Sequence, residues 1–253
     1  MGGKQMGKVK TADKTDFSIK HPLLYTGIIY IVSFFCVLCI MVVGSMVGIP
    51  QNFTNVFGRI LVAGVLLYAF RDLFSKEKFF TGIPIGLPAL IFVLWNVVYN
   101  LLTNGQLASA AGLVSAVFEG LAPAMFEETI FRGIAVSKME QSGRKPMETL
   151  ILTALLFGVL HLTNIAGMSL INVLVQAGYA FVIGLVFGAI FIVSHDIVTV
   201  ILLHALIDIS NNMFVPGGSA TVVLLCVFGV LMAVMAVYAV YLVKTIEKEG
   251  ASK

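Results

Sequence analysis

Eight stretches of this chain are apolar, several of them short or interrupted, and together they limit the available folds more than any other feature. The first runs from about Leu23 to Val47, and the rest fall near 56–70, 82–103, 112–135, 148–163, 169–193, 197–210 and 219–243. Inside a bilayer every backbone N–H and C=O must be paired within the protein, so a chain crosses only as helices or as a closed β-barrel. Continuous runs of this length fit helices of about 20 residues and exclude the alternating segments of a barrel. Turn formers or charges separate them at Pro50-Gln51-Asn52, Arg71 to Lys78, Asn104-Gly105-Gln106, Ser142 to Pro146, His195-Asp196 and Pro216-Gly217-Gly218.

Composition points the same way. Hydrophobic residues make up 59% of the chain and charged residues 11%, and the mean hydropathy is +1.01, whereas soluble domains carry about a quarter charged residues. A soluble cytosolic domain, a disordered chain and a disulfide-stapled module are excluded. The net charge of +3 is too small to suggest a nucleic-acid partner. Cys36, Cys39 and Cys226 each sit inside an apolar run and read as small core residues. The expected fold is an all-α polytopic transmembrane bundle of about eight membrane segments. It divides into a polar tail over 1–22, three N-terminal membrane helices over 23–110, a core of segments four to seven over 111–215, and a last helix with a basic tail over 216–253. The first run is too long for a signal-peptide core and is expected to remain as the first span.

Cytoplasmic loops carry the excess of Lys and Arg. Here fourteen of the 16 lie in the N-terminal tail (Lys4, Lys8, Lys10, Lys14, Lys20), in 71–78, in 138–145 and after residue 243. With an even number of spans, both termini are expected in the cytoplasm. The exceptions are Arg59, read as near an outer helix end, and Arg132, inside the fourth segment.

Ionisable residues within a membrane are costly and mark bundle interiors or wet cavities. The fourth segment holds Glu119, Glu127, Glu128 and Arg132, the fifth ends with His161 and Asn164, and the seventh holds His204 and Asp208. Glu128 and Arg132, Phe157 and His161, and His204 and Asp208 are each spaced to share a helix face, while Glu127 points about 100° from Glu128. Arg132 can neutralise Glu128, leaving Glu127 as an unpaired carboxylate turned toward a cavity, placed to act as a general base on water. One histidine could share that proton, and the other, with a nearby donor, could stabilise an oxyanion. Blander readings stand beside these: Glu128–Arg132 as a structural ion pair or Arg132 as a cytoplasmic-side anchor, Phe157 as packing, Glu119 as interfacial or cavity-lining, and Asn172, Gln176 and Tyr179 as interhelical hydrogen bonds.

Three patterns occur in order: Glu127-Glu128-Thr-Ile-Phe-Arg132, Phe157-Gly-Val-Leu-His161 and His204-Ala-Leu-Ile-Asp208. Together they resemble the CPBP family, also called Abi, the CAAX protease and bacteriocin-processing group of intramembrane glutamate-dependent endopeptidases, with signatures EExxxR, FxxxH and HxxxN/D. The resemblance covers roughly residues 112 to 215. It implies that Glu127 activates water, that His161 helps hold it, that Glu128 and Arg132 shape the site, and that His204 and residue 208 bind the oxyanion. Prenyl-protease members typically carry Asn at 208. Asp208 donates only when protonated; otherwise it would orient His204 or water, and Asn164, Asn211 or the imidazole would have to donate.

No metal is implied by the family's glutamate mechanism. Zinc remains an alternative reading of two Glu, two His and an Asp, but the HExxH helix is absent, as are the GxSxG and GxGD motifs. The expected substrate is a membrane-associated peptide, as in bacterial leader processing, or a prenylated protein. Cleavage is expected in the cytoplasmic half of the bilayer because Glu127 lies past the middle of its span. The short chain and Asp208 look more bacterial than eukaryotic, which places it in a bacterial plasma membrane. The alternatives are a non-catalytic bacteriocin-immunity or scaffold protein and a small transporter with a proton relay.

Overall fold

Each apolar run becomes a helix because helical hydrogen bonding is the one local way to pair its backbone away from water. The structure, a computed structural model, describes residues 16–76, 78–218 and 221–251; Lys4, Lys8, Lys10, Lys14 and Lys253 lie outside them. Among the described residues the long apolar helices are α1 (Pro22–Met46), α2 (Gln51–Ala69), α3 (Ile83–Leu102), α4 (Ala110–Gln141), α5 (Pro146–Ile165), α6 (Leu170–Ser194), α7 (Ile197–Asn212) and α8 (Val222–Ala251). Seven are long and apolar enough to cross a membrane. The eighth, α7, has 16 residues, about 24 Å, shorter than the ~30 Å hydrocarbon layer. The protein is thus an all-α, multi-pass membrane bundle.

The bundle has two ends. At one, the backbone N–H of Lys78 donates to the His195 carbonyl (2.9 Å) and that of Met147 to Glu247 Oε1 (3.0 Å). Buried Asp196 ties the starts of α3 and α7 together there by accepting from the N–H groups of Gly82 and Thr199, both at 3.0 Å. At the other end, β1 (Gln106–Leu107) pairs antiparallel with β2 (Phe214–Val215), and Asn52 donates to Glu119 (3.3 Å).

Helix α6 is central: every residue from Gly184 to Ile192 is buried, and a Cβ at Gly184 would stand 3.1 Å from the Cα of Ala154 on α5. Small residues at such crossings let membrane helices meet closely. The outer helices expose apolar side chains instead, as lipid contact demands. Cys36, Cys39 and Cys226 are among the exposed residues, so the reading of them as core residues is corrected: a residue's place in an apolar run does not say whether it faces lipid or protein, both being apolar.

Helix α7 packs against both α4 and α3. At Gly120 a Cβ would come within 2.6 Å of Ile209 Cγ1 and 3.0 Å of the Ala205 carbonyl. Gly120→Leu is expected to wedge α4 from α7. A lower thermal midpoint in detergent, with loss of any activity that depends on this contact, would check it.

Candidate active site

Helix α4 changes its winding at the point where its charged residues cluster. Ala110–Glu128 is α-helical, Thr129–Val136 is π-helical, and Ser137–Gln141 returns to α. π-turns insert extra backbone into a helix and recur at functional sites. Pro123, which cannot donate to the carbonyl four residues earlier, loosens the same helix just before the glutamates.

Glu128 is wholly buried. Its Oε1 accepts from Arg132 Nη1 (3.0 Å) and from His204 Nδ1 (2.7 Å), so one oxygen ties a residue one turn along α4 to the facing α7. Arg132 also donates from Nη2 to the Gly184 carbonyl (3.3 Å) and lies over the rings of Phe157 (4.7 Å) and Phe187 (5.6 Å). Arg132 is therefore no interfacial anchor, and Glu128–Arg132 is an ion pair extended to His204. Phe157 does more than fill space: its carbonyl accepts from His161 Nδ1 (2.8 Å) and its ring stands edge-on to that imidazole, with centroids 4.6 Å apart. Because the partner is a carbonyl, Nδ1 carries the proton and Nε2 of neutral His161 is the acceptor available to the cavity.

Glu127 faces away from this buried cluster into a cavity of about 520 Å³ that His161, His204 and Asp208 also line. Its Oε2 lies 4.0 Å from His204 Nε2. Asp208 Oδ2 lies 3.6 Å from the same nitrogen. The structure thus brings Glu127, His161, His204 and Asp208 onto one cavity, with Phe157 on its wall and Glu128 and Arg132 behind it. Asn164 and Asn211 lie on the wall, and Asn164 Nδ2 donates to Gln176 Oε1 (2.9 Å). Among the described residues, no three His, Cys, Asp or Glu side chains form a set that could hold a metal ion.

Two readings of the sequence change here. Glu127 is not unpaired: Arg59 reaches it from α2, Nη1 to Oε1 3.5 Å, so Arg59 is part of the site rather than a helix-end residue. Gln176 and Tyr179 face the cavity rather than serving only as hydrogen bonds between helices. The direction in which the cavity opens is visible in the exposure of the residues around it. Side-chain exposure rises from 0% at Glu128 and 2% at Arg132 through 10% at His204 and 16% at Glu127 to 33% at Asp208, and Asn211 is exposed. The cavity therefore opens toward the β1–β2 end. In the other direction every residue of Thr129–Val136 is buried. Position along α4 could not show this, because access depends on which neighbouring helices seal which half.

Arg59 had one legible sign, being an intramembrane Arg remote from the basic loops. Its 68-residue separation from Glu127 hid the pairing. Glu119, with Asn52, Asn55 and Arg59, lines a second, polar cavity of about 290 Å³, in keeping with its cavity-lining reading.

Residues 109–210, from the start of α4 to the last turns of α7, match the family model described as type II CAAX prenyl endopeptidase Rce1-like. Over this core the chain is similar to the CAAX-type intramembrane endopeptidases. No curated protein and no solved structure matches it.

Removing one partner of a buried ion pair strands the other charge. Arg132→Met is expected to destabilise the fold by about 3–5 kcal/mol, seen as a clear drop in the thermal midpoint in detergent, while Phe157→Leu, which keeps the carbonyl that holds His161, is expected to cost less.

Proposed function

We propose that this protein hydrolyses a peptide bond of a membrane-associated peptide using water activated by Glu127. The observation that carries the reading is the contrast between adjacent carboxylates: Glu128 is sealed against Arg132 and His204, while Glu127 stands on the cavity wall with both histidines. A general base must reach both water and substrate, and of the pair only Glu127 can.

In this scheme water is held between Glu127 and Nε2 of His161. Glu127 takes one proton as the water oxygen adds to the scissile carbonyl carbon. The carbonyl oxygen becomes an oxyanion in the tetrahedral intermediate. Glu127 then passes the proton to the amide nitrogen, the C–N bond breaks, and a carboxylic acid and an amine leave with Glu127 again a carboxylate. His204, held by Glu128 at Nδ1, offers Nε2–H to the oxyanion. Asp208 as a carboxylate can only accept and steadies the imidazole at Nε2, which leaves room for other donors. Arg59 and the Asn211 amide fill that need, Arg59 adding a positive charge where Asp208 adds a negative one. No step calls for a metal.

Glu127→Gln is expected to lower hydrolysis of leader-type or prenylated test peptides by about 10²-fold or more, with the thermal midpoint unchanged. Wild-type activity is expected to persist in chelator, and loss of activity there would revive the zinc reading. Peptide binding that survives while wild type cleaves nothing would favour a non-catalytic immunity or scaffold role. Arg59→Met is expected to lower kcat by about 10²–10³-fold, as for other lost oxyanion donors, with little change in KM and partial rescue by Arg59→Lys.

A further inference from the structure

The distribution of charge over the two ends of the bundle and the direction in which the cavity opens are separate observations, and together they decide which side of the membrane reaches the site. Nine of the eleven described Lys and Arg lie at or next to the end where Lys78 meets His195 and Met147 meets Glu247. The other two are Arg59 and Arg132, inside the bundle. At the opposite end, the connections 47–50, 103–109, 166–169 and 213–221, and the last turns of α5 over 161–165, contain no Lys, Arg, Asp or Glu. Short loops sort by this bias, basic ones remaining in the cytoplasm. The cavity opens at the end whose connections carry no charge: Asp208 lies four residues before the end of α7, His161 begins the 3₁₀ turns that end α5, and Asn211 is exposed beside β2. Toward the basic end, the path is closed by the buried π-segment of α4 and by Gly184 to Ile192 of α6. Phe74, from the basic loop before α3, packs against Gly133, where a Cβ would stand 2.5 Å from its ring.

We propose that the site is reached from the extracytoplasmic face, and that its substrate is a peptide segment already translocated or displayed on the outer leaflet, not a C-terminus in the cytoplasm. The substrate class rests on the hydrolytic reading of the site; the orientation does not. An extended segment entering past Asn211 and Asp208 would bring its scissile carbonyl to Glu127, while the apolar wall of Trp95, Tyr99 and Phe228 would take an apolar side chain or membrane anchor.

The test uses the full chain with its three lipid-facing cysteines replaced by alanine and one cysteine returned at an exposed position. Leu107→Cys and Val215→Cys report on the cavity end, Arg144→Cys on the basic end. In intact cells a membrane-impermeant maleimide is expected to label the first two about ten-fold or more over the third, as the positive-inside bias requires, with the difference vanishing on permeabilisation. Labelling in the reverse sense, or equal labelling of both ends, would overturn the proposal. In a second arm, sealed right-side-out vesicles are expected to cleave an impermeant peptide added outside, and inside-out vesicles only after permeabilisation. Cleavage by sealed inside-out vesicles alone would overturn the substrate class. Labelling as expected with no hydrolysis in either preparation would uphold the orientation and overturn the hydrolytic reading with the substrate class.

Discussion

A carboxylate sealed within a membrane bundle needs a cation, and Glu128 takes two donors on one oxygen. Arg132 arrives from the next turn of its own helix and His204 from the facing one. The lost hydration of these groups is recovered only while α4 and α7 hold this separation and register. Much of the site follows. Successive residues on a helix point about 100° apart, so once Glu128 is fixed inward Glu127 is directed to the cavity. With Nδ1 of His204 committed to Glu128, its Nε2 faces Glu127 and Asp208. The close crossing at Gly120 permits the approach of the two helices.

The bundle separates two requirements that conflict. An ion cluster is held firmly where water is excluded, whereas hydrolysis consumes water and must admit a peptide. The basic half is packed solid by the π-segment of α4 and the middle of α6. The other half carries the cavity and polar groups such as Asn164, Gln176 and Asn211. Arg59 and Pro123 line both the main cavity and the polar pocket beside it, so the guanidinium borders that polar pocket as well as Glu127. The short α7 suits this division, since it brings His204 and Asp208 close to the open end.

The spans were legible because a lipid environment leaves few choices for long apolar runs, and the three motifs because helical spacing of polar residues in such runs stands out. The reason for each spacing became visible only in three dimensions. In FxxxH the carbonyl and ring of Phe157 both hold His161. In EExxxR the arginine serves the second glutamate and, through it, a histidine on another helix. Arg59 reads from the sequence as a helix-end residue and Tyr179 as a hydrogen bond between helices because the cavity they share is assembled from distant parts of the chain, and the three cysteines read as core because lipid and protein interiors are equally apolar.

From sequence alone, hydrophobic length determined an all-α membrane bundle, and local helical periodicity determined that Arg132 lies within reach of Glu128 and that Glu127 points elsewhere. Those are short-range matters, settled within a turn of one helix. Only the tertiary structure decided that Arg59 meets Glu127, that His204 bridges the two glutamates, and that the cavity opens away from the basic loops. Such features depend on how helices far apart in the chain pack, and packing among apolar surfaces leaves no periodic trace in any one of them.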